Sequence, residues 1–409
     1  MKKISAVLLV LALVGSAVFA SFTGNAGVSF GVDLDEKEYG FTNTVELSAE
    51  LNFFEKLVDK AGEGDIYAEI NAELTLGLEF DKEDSEFDAS TVIGGNVEIT
   101  SAKIIGDNWY VGILGALGAP NFAATAIELN DDGDSELDLT FGLDKPAGVA
   151  VGFSDFEFGL GFFGSYDDPA AYDLYVSAVT PEFEFADGLT GQFGLAGLLA
   201  DDAMGVFGSV KVGFAQDDLS VSLASDIQYI KDGSFDAEVA LAASYDFLTL
   251  DVYYATSEFP LLDDNDDPID VYPGAENILS VQLGAVIEGF DITVTGKDLV
   301  NTTDLSAEVA YALSDELTVS VKGGYSLGTE VWFAGGGVEY AADMFTAKLD
   351  GSYYSTKQLK LSASVESDKL VDGATLSLGY AADDVLGNVS GDLDNGHLGA
   401  ITAKAVIAF

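Results

Sequence analysis

The chain contains no cysteine and no arginine, a single histidine and only seven prolines. Without cysteine a disulfide scaffold is excluded, and thiolate metal and redox sites go with it. One histidine, His397, beside Gly396 near the final turn, reads as a surface residue and makes no ordinary zinc set. Past the N-terminus no stretch approaches the roughly 18 consecutive apolar residues that mark a transmembrane helix. Positive charge is scarce: 17 lysines stand against 70 acidic residues, for a net charge of −53. Such a chain repels nucleic acid and gains nothing from an anionic surface. No GxSxG, Walker A or HExxH motif occurs. Candidate carboxylate pairs are so frequent that pairing carries no catalytic information. Neither enzymatic activity nor a cofactor is expected.

What is present points to strands. Apolar residues make up 48% of the chain and aromatic residues 11%, and the mean hydropathy is +0.25, which argues against disorder despite the charge. The 46 glycines suit many tight turns, and few prolines suit strands that cannot spare an N–H. The clearest stretch is Ile66–Phe80, IYAEINAELTLGLEF. Ile66, Ala68, Ile70, Ala72, Leu74, Leu76, Leu78 and Phe80 fall on one face, and Tyr67, Glu69, Asn71, Glu73, Thr75, Gly77 and Glu79 on the other. That period of two predicts a long strand with an apolar and a wet face.

The first residues read as a secretory leader, with basic Lys2 and Lys3, an apolar core from Ile4 to Val14, and small Ala20 before a cleavage site expected to precede Ser21. The expected division is residues 1–20 as signal peptide, 21–200 as an N-terminal region that is either in the sheet or partly periplasmic, and 201–409 as a C-terminal β-region. Thr42–Phe53 alternates cleanly, Phe53–Gly64 suggests a helical turn, and Trp109–Leu117, Phe122–Leu129, Leu137–Leu143, Val149–Phe153 and Phe156–Phe163 follow as short strands. The second half is more regular, with turns at Glu288-Gly289 and Ser314-Asp315-Glu316 and a last alternation ending on Phe409.

Three stretches carry a family likeness: Gly31–Phe54, GVDLDEKEYGFTNTVELSAELNFF; Gly62–Ile70, GEGDIYAEI; and Ser101–Ile113, SAKIIGDNWYVGI. They resemble the N-terminal region of the spirochaete major outer sheath protein family, which includes the treponemal repeat proteins. The likeness spans residues 24–115; beyond them it rests on length, alternation and Phe409. It implies a trimeric outer-membrane porin, with adhesion to host matrix in some members.

The fold expected is all-β: a transmembrane antiparallel β-barrel of about 16–20 strands, in a bacterial outer membrane. A soluble exported β-protein would show the same alternation with its apolar face inward. The leader, the many regular strands, and small residues used freely on the apolar face favour lipid as the partner of that face. The expected function is passive diffusion of small hydrophilic solutes and ions with a cation preference. The alternative is a surface adhesin or a structural protein of the outer sheath.

The polar face supplies the pore-lining candidates: Glu46, Glu50, Glu69, Glu73, Glu79, Asp226 and Glu308, with Lys322 and Lys360. Fixed carboxylates concentrate cations. Lys211, Lys348 and Lys404 fall on the same side. The longest polar interruption, Glu258–Pro273, holds Asp263, Asp264, Asp266, Asp267 and Asp270 and no basic residue. Its oxygens make a weak candidate for Ca²⁺, as do those of Asn130–Glu136, but neither completes a calcium-loop pattern. Solvated acidic loops are the plainer explanation.

Overall fold

A computed structural model describes residues 20–52, 66–80, 92–113, 120–127, 148–165, 168–199, 204–231, 235–256, 261–262, 268–269, 277–388 and 396–408. In chain order the strands are β1 (Ala20–Asp33), β2 (Glu38–Asn52), β3 (Tyr67–Phe80), β4 (Val92–Ile105), β5 (Trp109–Gly112), β6 (Gly148–Phe153), β7 (Phe156–Ser165), β8 (Asp168–Val179), β9 (Phe183–Ala186), β10 (Leu189–Leu199), β11 (Met204–Gln216), β12 (Leu219–Ile230) and β13 (Phe235–Tyr245). They continue as β14 (Leu248–Ala255), β15 (Leu261–Leu262), β16 (Pro268–Ile269), β17 (Ile278–Ile287), β18 (Phe290–Lys297), β19 (Asp304–Ala312), β20 (Leu317–Ser326), β21 (Val331–Ala341), β22 (Thr346–Tyr354), β23 (Leu359–Val371), β24 (Ala374–Ala382) and β25 (Ala400–Ala408). No described helix is long and apolar enough to cross a membrane.

Neighbouring strands pair antiparallel, and 23 of them belong to one sheet, with β15 and β16 forming a separate two-stranded piece. The long stretch read as a strand over Ile66–Phe80 is β3, paired with β2 from Phe41↔Phe80 to Asn52↔Glu69. Several turns have two residues, and the first position takes a left-handed conformation at Asp217 (φ 51°), Asp246 (φ 54°) and Glu288 (φ 49°). Gly289 follows Glu288 with φ 87°. Positive φ through both central residues, as at Glu288-Gly289, matches the twist of hairpin strands, and aspartate tolerates that region better than most side chains.

The expected barrel of about 16–20 strands is corrected in number and in construction. Two-residue turns leave room for more strands, and 23 of them join the main sheet. The sheet is also not one plain ring. β11 pairs along the whole of one edge of β10, while β8 takes Gly194–Leu199 and β9 Leu189–Gly191 of the other, so that neighbour is a strand interrupted midway. Pro181, between β8 and β9, has no N–H to give a ladder, and the strand breaks around it. β1 pairs with β2 along its length and with β25 from Asn25↔Ala408 to Asp33↔Ala400.

The strand expected over Phe122–Leu129 is corrected as well. Residues 120–125 lie in irregular backbone, and 126–127 form a bend. Leu137–Leu143, the helical turn over Phe53–Gly64 and residues 1–19 of the expected leader lie outside the described residues.

The two faces of the sheet are inverted relative to a water-soluble protein. Along β12, Leu223 (47% exposed), Ile227 (44%) and Tyr229 (48%) are open, whereas Ala224, Asp226 and Gln228 are buried. The same holds on β10 and β11, where Leu195 and Val206 are exposed while Ala196, Phe207 and Ser209 are buried. The face carrying small and polar residues is the covered one.

Candidate functional site

The covered face is densest over β10–β14. Cross-strand register sets Gly194 opposite Ser209, Ser209 opposite Asp226, Asp226 opposite Glu238 and Glu238 opposite Ala255. One step along, Ala224 faces Ala240 and Ala240 faces Tyr253. Residues 120–127 lie across this patch as a strap. Ala123 and Ile127, both fully buried, pack with Ala224, Ala240, Tyr253 and Ala255, and Phe122 packs beside them. Small side chains on the sheet make the seat. Gly194 has no Cβ, and one placed there would collide with the ring of Pro120.

Asp226 fastens the strap. Its Oδ2 accepts the backbone N–H of Phe122 at 2.8 Å and of Ala123 at 2.6 Å. Irregular backbone must have its N–H groups satisfied when covered, and a carboxylate is a strong acceptor for two of them. On the next strand, Tyr253 donates its hydroxyl to Glu238 Oε2 at 2.7 Å. Asp226 and Glu238 are both at 0% exposure.

The expected pore-lining residues do not form one group. Glu46 and Glu50 stand on β2 and Glu69, Glu73 and Glu79 on β3, in neighbouring register rows such as Ser48↔Glu73 and Glu50↔Asn71. Asp226 lies under the strap, away from solvent. Glu308 stands opposite Lys322 on β20. Lys322 donates to Asp350 Oδ1 at 2.8 Å, Lys348 pairs with Glu339 at 3.0 Å, and Lys360 is 3.9 Å from Asp383. That sector carries paired charges of both signs. Asp263, Asp264, Asp266, Asp267, Asp270 and Asn130–Glu136 lie outside the described residues.

These observations overturn the diffusion porin and the ion transport expected with it. That reading needs an open acidic wall in a plain closed barrel. The sheet instead has an interrupted neighbour beside β10, and the polar face around Asp226 is covered by 120–127. Glu238, Tyr253 and the strap itself were not singled out in the sequence. The phase of Asp236 and Glu238 against Ala237 and Val239 held the signal for the acids, since it puts both on the face of Asp226.

His397 is not simply a surface residue. It is half-buried, and its Nδ1 lies 3.1 Å from the backbone oxygen of Asp384. Asp384, fully buried, accepts the N–H groups of Leu359, Leu386 and Asn388. Nearby, Asp35 Oδ2 accepts Leu398 N–H at 2.8 Å and Gly399 N–H at 3.0 Å. Desolvation acts to raise the Asp35 pKa, but the backbone N–H groups of Gly399, Leu398 and His397, with the charge of His397, outweigh it and hold the carboxyl below 3.8.

No family model matches the chain. It is 39% identical over 126 residues to Major surface protein MspTL of Treponema lecithinolyticum, an overlap of 28% of this chain and 21% of that protein. The chain therefore spans about a fifth of the length of that curated relative. Among solved structures it is similar to the translocation pore of the P pilus usher PapC, at 9% identity and a TM-score of 0.41, covering 95% of this chain and 98% of that one. A mutant of the Rh. blastica porin aligns at 11% identity and a TM-score of 0.35, over 96% and 100%. The siderophore receptor PirA of Pseudomonas aeruginosa aligns at 10% identity and a TM-score of 0.47, over 95% and 80%. The chain is thus a distant relative of a spirochaete surface protein.

Proposed function

We propose that this chain is a non-catalytic surface protein of the outer membrane, adhesive or structural, whose exposed apolar sheet face is covered by lipid. The inverted sheet carries this reading. Leu195, Val206, Leu223, Ile227, Leu283 and Val321 are all open on the face away from the covered patch. Each such side chain left in water forgoes about 1.5–3 kcal/mol relative to burial, and a contiguous apolar surface of this kind marks a membrane or protein contact. Between Leu219, Leu248, Leu283 and Val294 that face also forms a shallow apolar groove of about 340 Å³, suited to an acyl chain. Near the tight turns Phe290 and Tyr311 pack tilted, with centroids 4.3 Å apart, and aromatic rings suit the headgroup zone.

The adhesive or structural role draws on the partial identity to a treponemal surface protein. It is consistent with membership of the major outer sheath protein family, inferred from Gly31–Phe54, Gly62–Ile70 and Ser101–Ile113. The net charge of −53 selects partners with basic surface segments. Host matrix of that character is the proposed ligand class, and the acidic run 258–273 the proposed contact.

Deletion of 257–276 tests this directly. Binding of intact cells to immobilised matrix protein should fall several-fold, while the variant still fractionates with outer membranes. Recovery of the unaltered protein in the soluble periplasmic fraction overturns the membrane assignment. Unchanged binding after deletion overturns the loop as the contact.

A further inference from the structure

The open apolar face of β12–β18 is dented beside its two-residue turns. In the register row nearest the turns, Tyr245 stands opposite Leu248 and Leu248 opposite Ala285. Two residues further in, about 6.8 Å along the strands, Ala243 stands opposite Leu250 and Leu250 opposite Leu283. Ala243 and Ala285 are the small members of these rows and sit diagonally, with leucines between them. All six line the groove of about 340 Å³. The groove therefore starts one residue from the Asp246 turn and runs into the sheet, away from the turns.

Its mouth is acidic. Asp217 and Asp218 make the turn between β11 and β12, Asp246 opens the turn between β13 and β14, and Glu288 opens the turn between β17 and β18. Asp291 is the second residue of β18. All five are exposed. Asp246 is bonded to Tyr245 in the chain, and Asp218 to Leu219, another residue of the groove. Their fields thus reach its mouth within the Debye length of about 8 Å at physiological ionic strength. Residues 204–297 hold three lysines, Lys211, Lys231 and Lys297. Lys231 follows the far end of β12, Lys297 closes the far end of β18, and Lys211 stands mid-strand opposite buried Ala224. None of the three stands at the mouth.

An occupant must match both parts: an apolar chain along the groove and a positive charge at the turns. We infer that the groove binds one phospholipid whose headgroup ends in a cationic amine. The acyl chain lies over Ala243 and Ala285, and the ammonium group meets the carboxylates of Asp218, Asp246 and Glu288. A lipid with an anionic headgroup would set like charge against the same carboxylates, and the site discriminates against it. This rests on lipid being the cover of the apolar face, and it names the lipid that one part of the face selects.

Native mass spectrometry of the full-length protein tests it, in mixed micelles holding equal amounts of phosphatidylethanolamine and phosphatidylglycerol with identical acyl chains. The unaltered protein should retain one phosphatidylethanolamine several-fold in preference to phosphatidylglycerol. Asp246→Asn combined with Glu288→Gln leaves the groove intact and should bring that ratio close to one. Asp343→Asn combined with Asp372→Asn removes the same charge from exposed turns at the same end of the sheet, outside the groove, and should leave the ratio unchanged. Ala285→Phe fills the groove and should abolish the retained lipid in protein that still fractionates with membranes. Equal retention of the two lipids by the unaltered protein, an unchanged ratio in the Asp246→Asn, Glu288→Gln variant, or full retention in Ala285→Phe would each overturn the site while leaving lipid as the cover of the face. A lipid-free dimer would assign the groove to a second copy of the chain and overturn it too. Retention of neither phospholipid, with the protein in the soluble fraction, would overturn the membrane reading itself.

Discussion

Asp35 and Leu398, 363 positions apart, are joined by a 2.8 Å hydrogen bond from the Leu398 N–H to the Asp35 carboxylate. The same oxygen takes the Gly399 N–H, and the Leu34 N–H donates to the Gly399 carbonyl at 3.0 Å. Asp35 sits in the turn between β1 and β2, which is itself tightened by Asp33 Oδ1 accepting the N–H groups of Asp35 and Glu36. Just beyond begins the β1–β25 ladder, at Asp33↔Ala400. One carboxylate therefore fastens the seam between the first and last strands.

The seam should be acid-sensitive. The folded-state pKa of Asp35 is depressed below 3.8 by the net effect of its N–H donors and His397. A depressed carboxyl contributes stability that is complete above its unfolded value and lost as pH falls through the folded one. Exchange of the Leu398 and Gly399 amides should therefore accelerate below the ordinary carboxylate range. Asp35→Asn should show a flatter acid limb. Identical limbs in the two proteins would remove Asp35 from the account.

Gly396→Ala should loosen the same seam. Gly396 has φ 59°, and a Cβ there would collide with the Asp35 carboxylate. A side chain in that backbone region is strained whatever its neighbours, and the expected loss exceeds about 1 kcal/mol. Thermal unfolding in detergent measures it. Gly373→Ala is the control, because its φ of 74° carries similar strain with nothing near the added carbon. The excess of the first loss over the second reports the Asp35 contact.

The ion pair Lys322–Asp350 should count for less than its 2.8 Å separation suggests. Its side chains remain 28% and 40% exposed. Exposed pairs are worth about 0.2–1 kcal/mol after solvent screening and lost side-chain freedom. A double-mutant cycle with Lys322→Met and Asp350→Asn should give a coupling in that range, diminishing with added salt.

Leu223→Asp and Ile227→Asp test lipid as the cover of the apolar face. Both positions are roughly half open on β12. A carboxylate facing hydrocarbon is far costlier than one facing water. The membrane-associated fraction should fall several-fold for either variant. Gln282→Asp, on the polar side of β17 where Gln282 donates to Thr295 Oγ1 at 3.0 Å, should leave it nearly unchanged. Equal recovery of all three variants would indicate that water, and not lipid, meets this face.

Much of the strand content is written locally. The alternation over Ile66–Phe80 delivers β3, and Glu288-Gly289 gives the turn between β17 and β18, because pleat and positive φ are properties of neighbouring residues. Alternation does not say what covers a face. In SLASDIQYI, on β12, nothing local separates a solvated aspartate from one at 0% exposure. What buries Asp226 comes from about a hundred residues upstream. The interruption beside β10 is half legible, since Pro181 announces a break but not which strand both halves will join. The lysines of β20–β23 were legible as polar-face residues, whereas their partners Glu339, Asp350 and Asp383 depend on register.

Ile127 offers the sharpest separation between strap and strand. As part of a strand over Phe122–Leu129 it would alternate between faces and lose little on truncation if its side lay open. In the structure it is fully buried with Ala123, Ala224, Ala240, Tyr253 and Ala255, in backbone that pairs with no strand among the described residues. Ile127→Ala removes buried carbon from a seat made of alanines, which have no longer side chain to swing into the gap. The expected cost is about 2–4 kcal/mol, transfer and cavity together. It should appear locally, as faster exchange of the Phe122 and Ala123 amides, while the β12–β13 ladder keeps its protection and the protein still fractionates with membranes. Loss of ladder protection in step with the strap would mean that 120–127 and the sheet open as one unit.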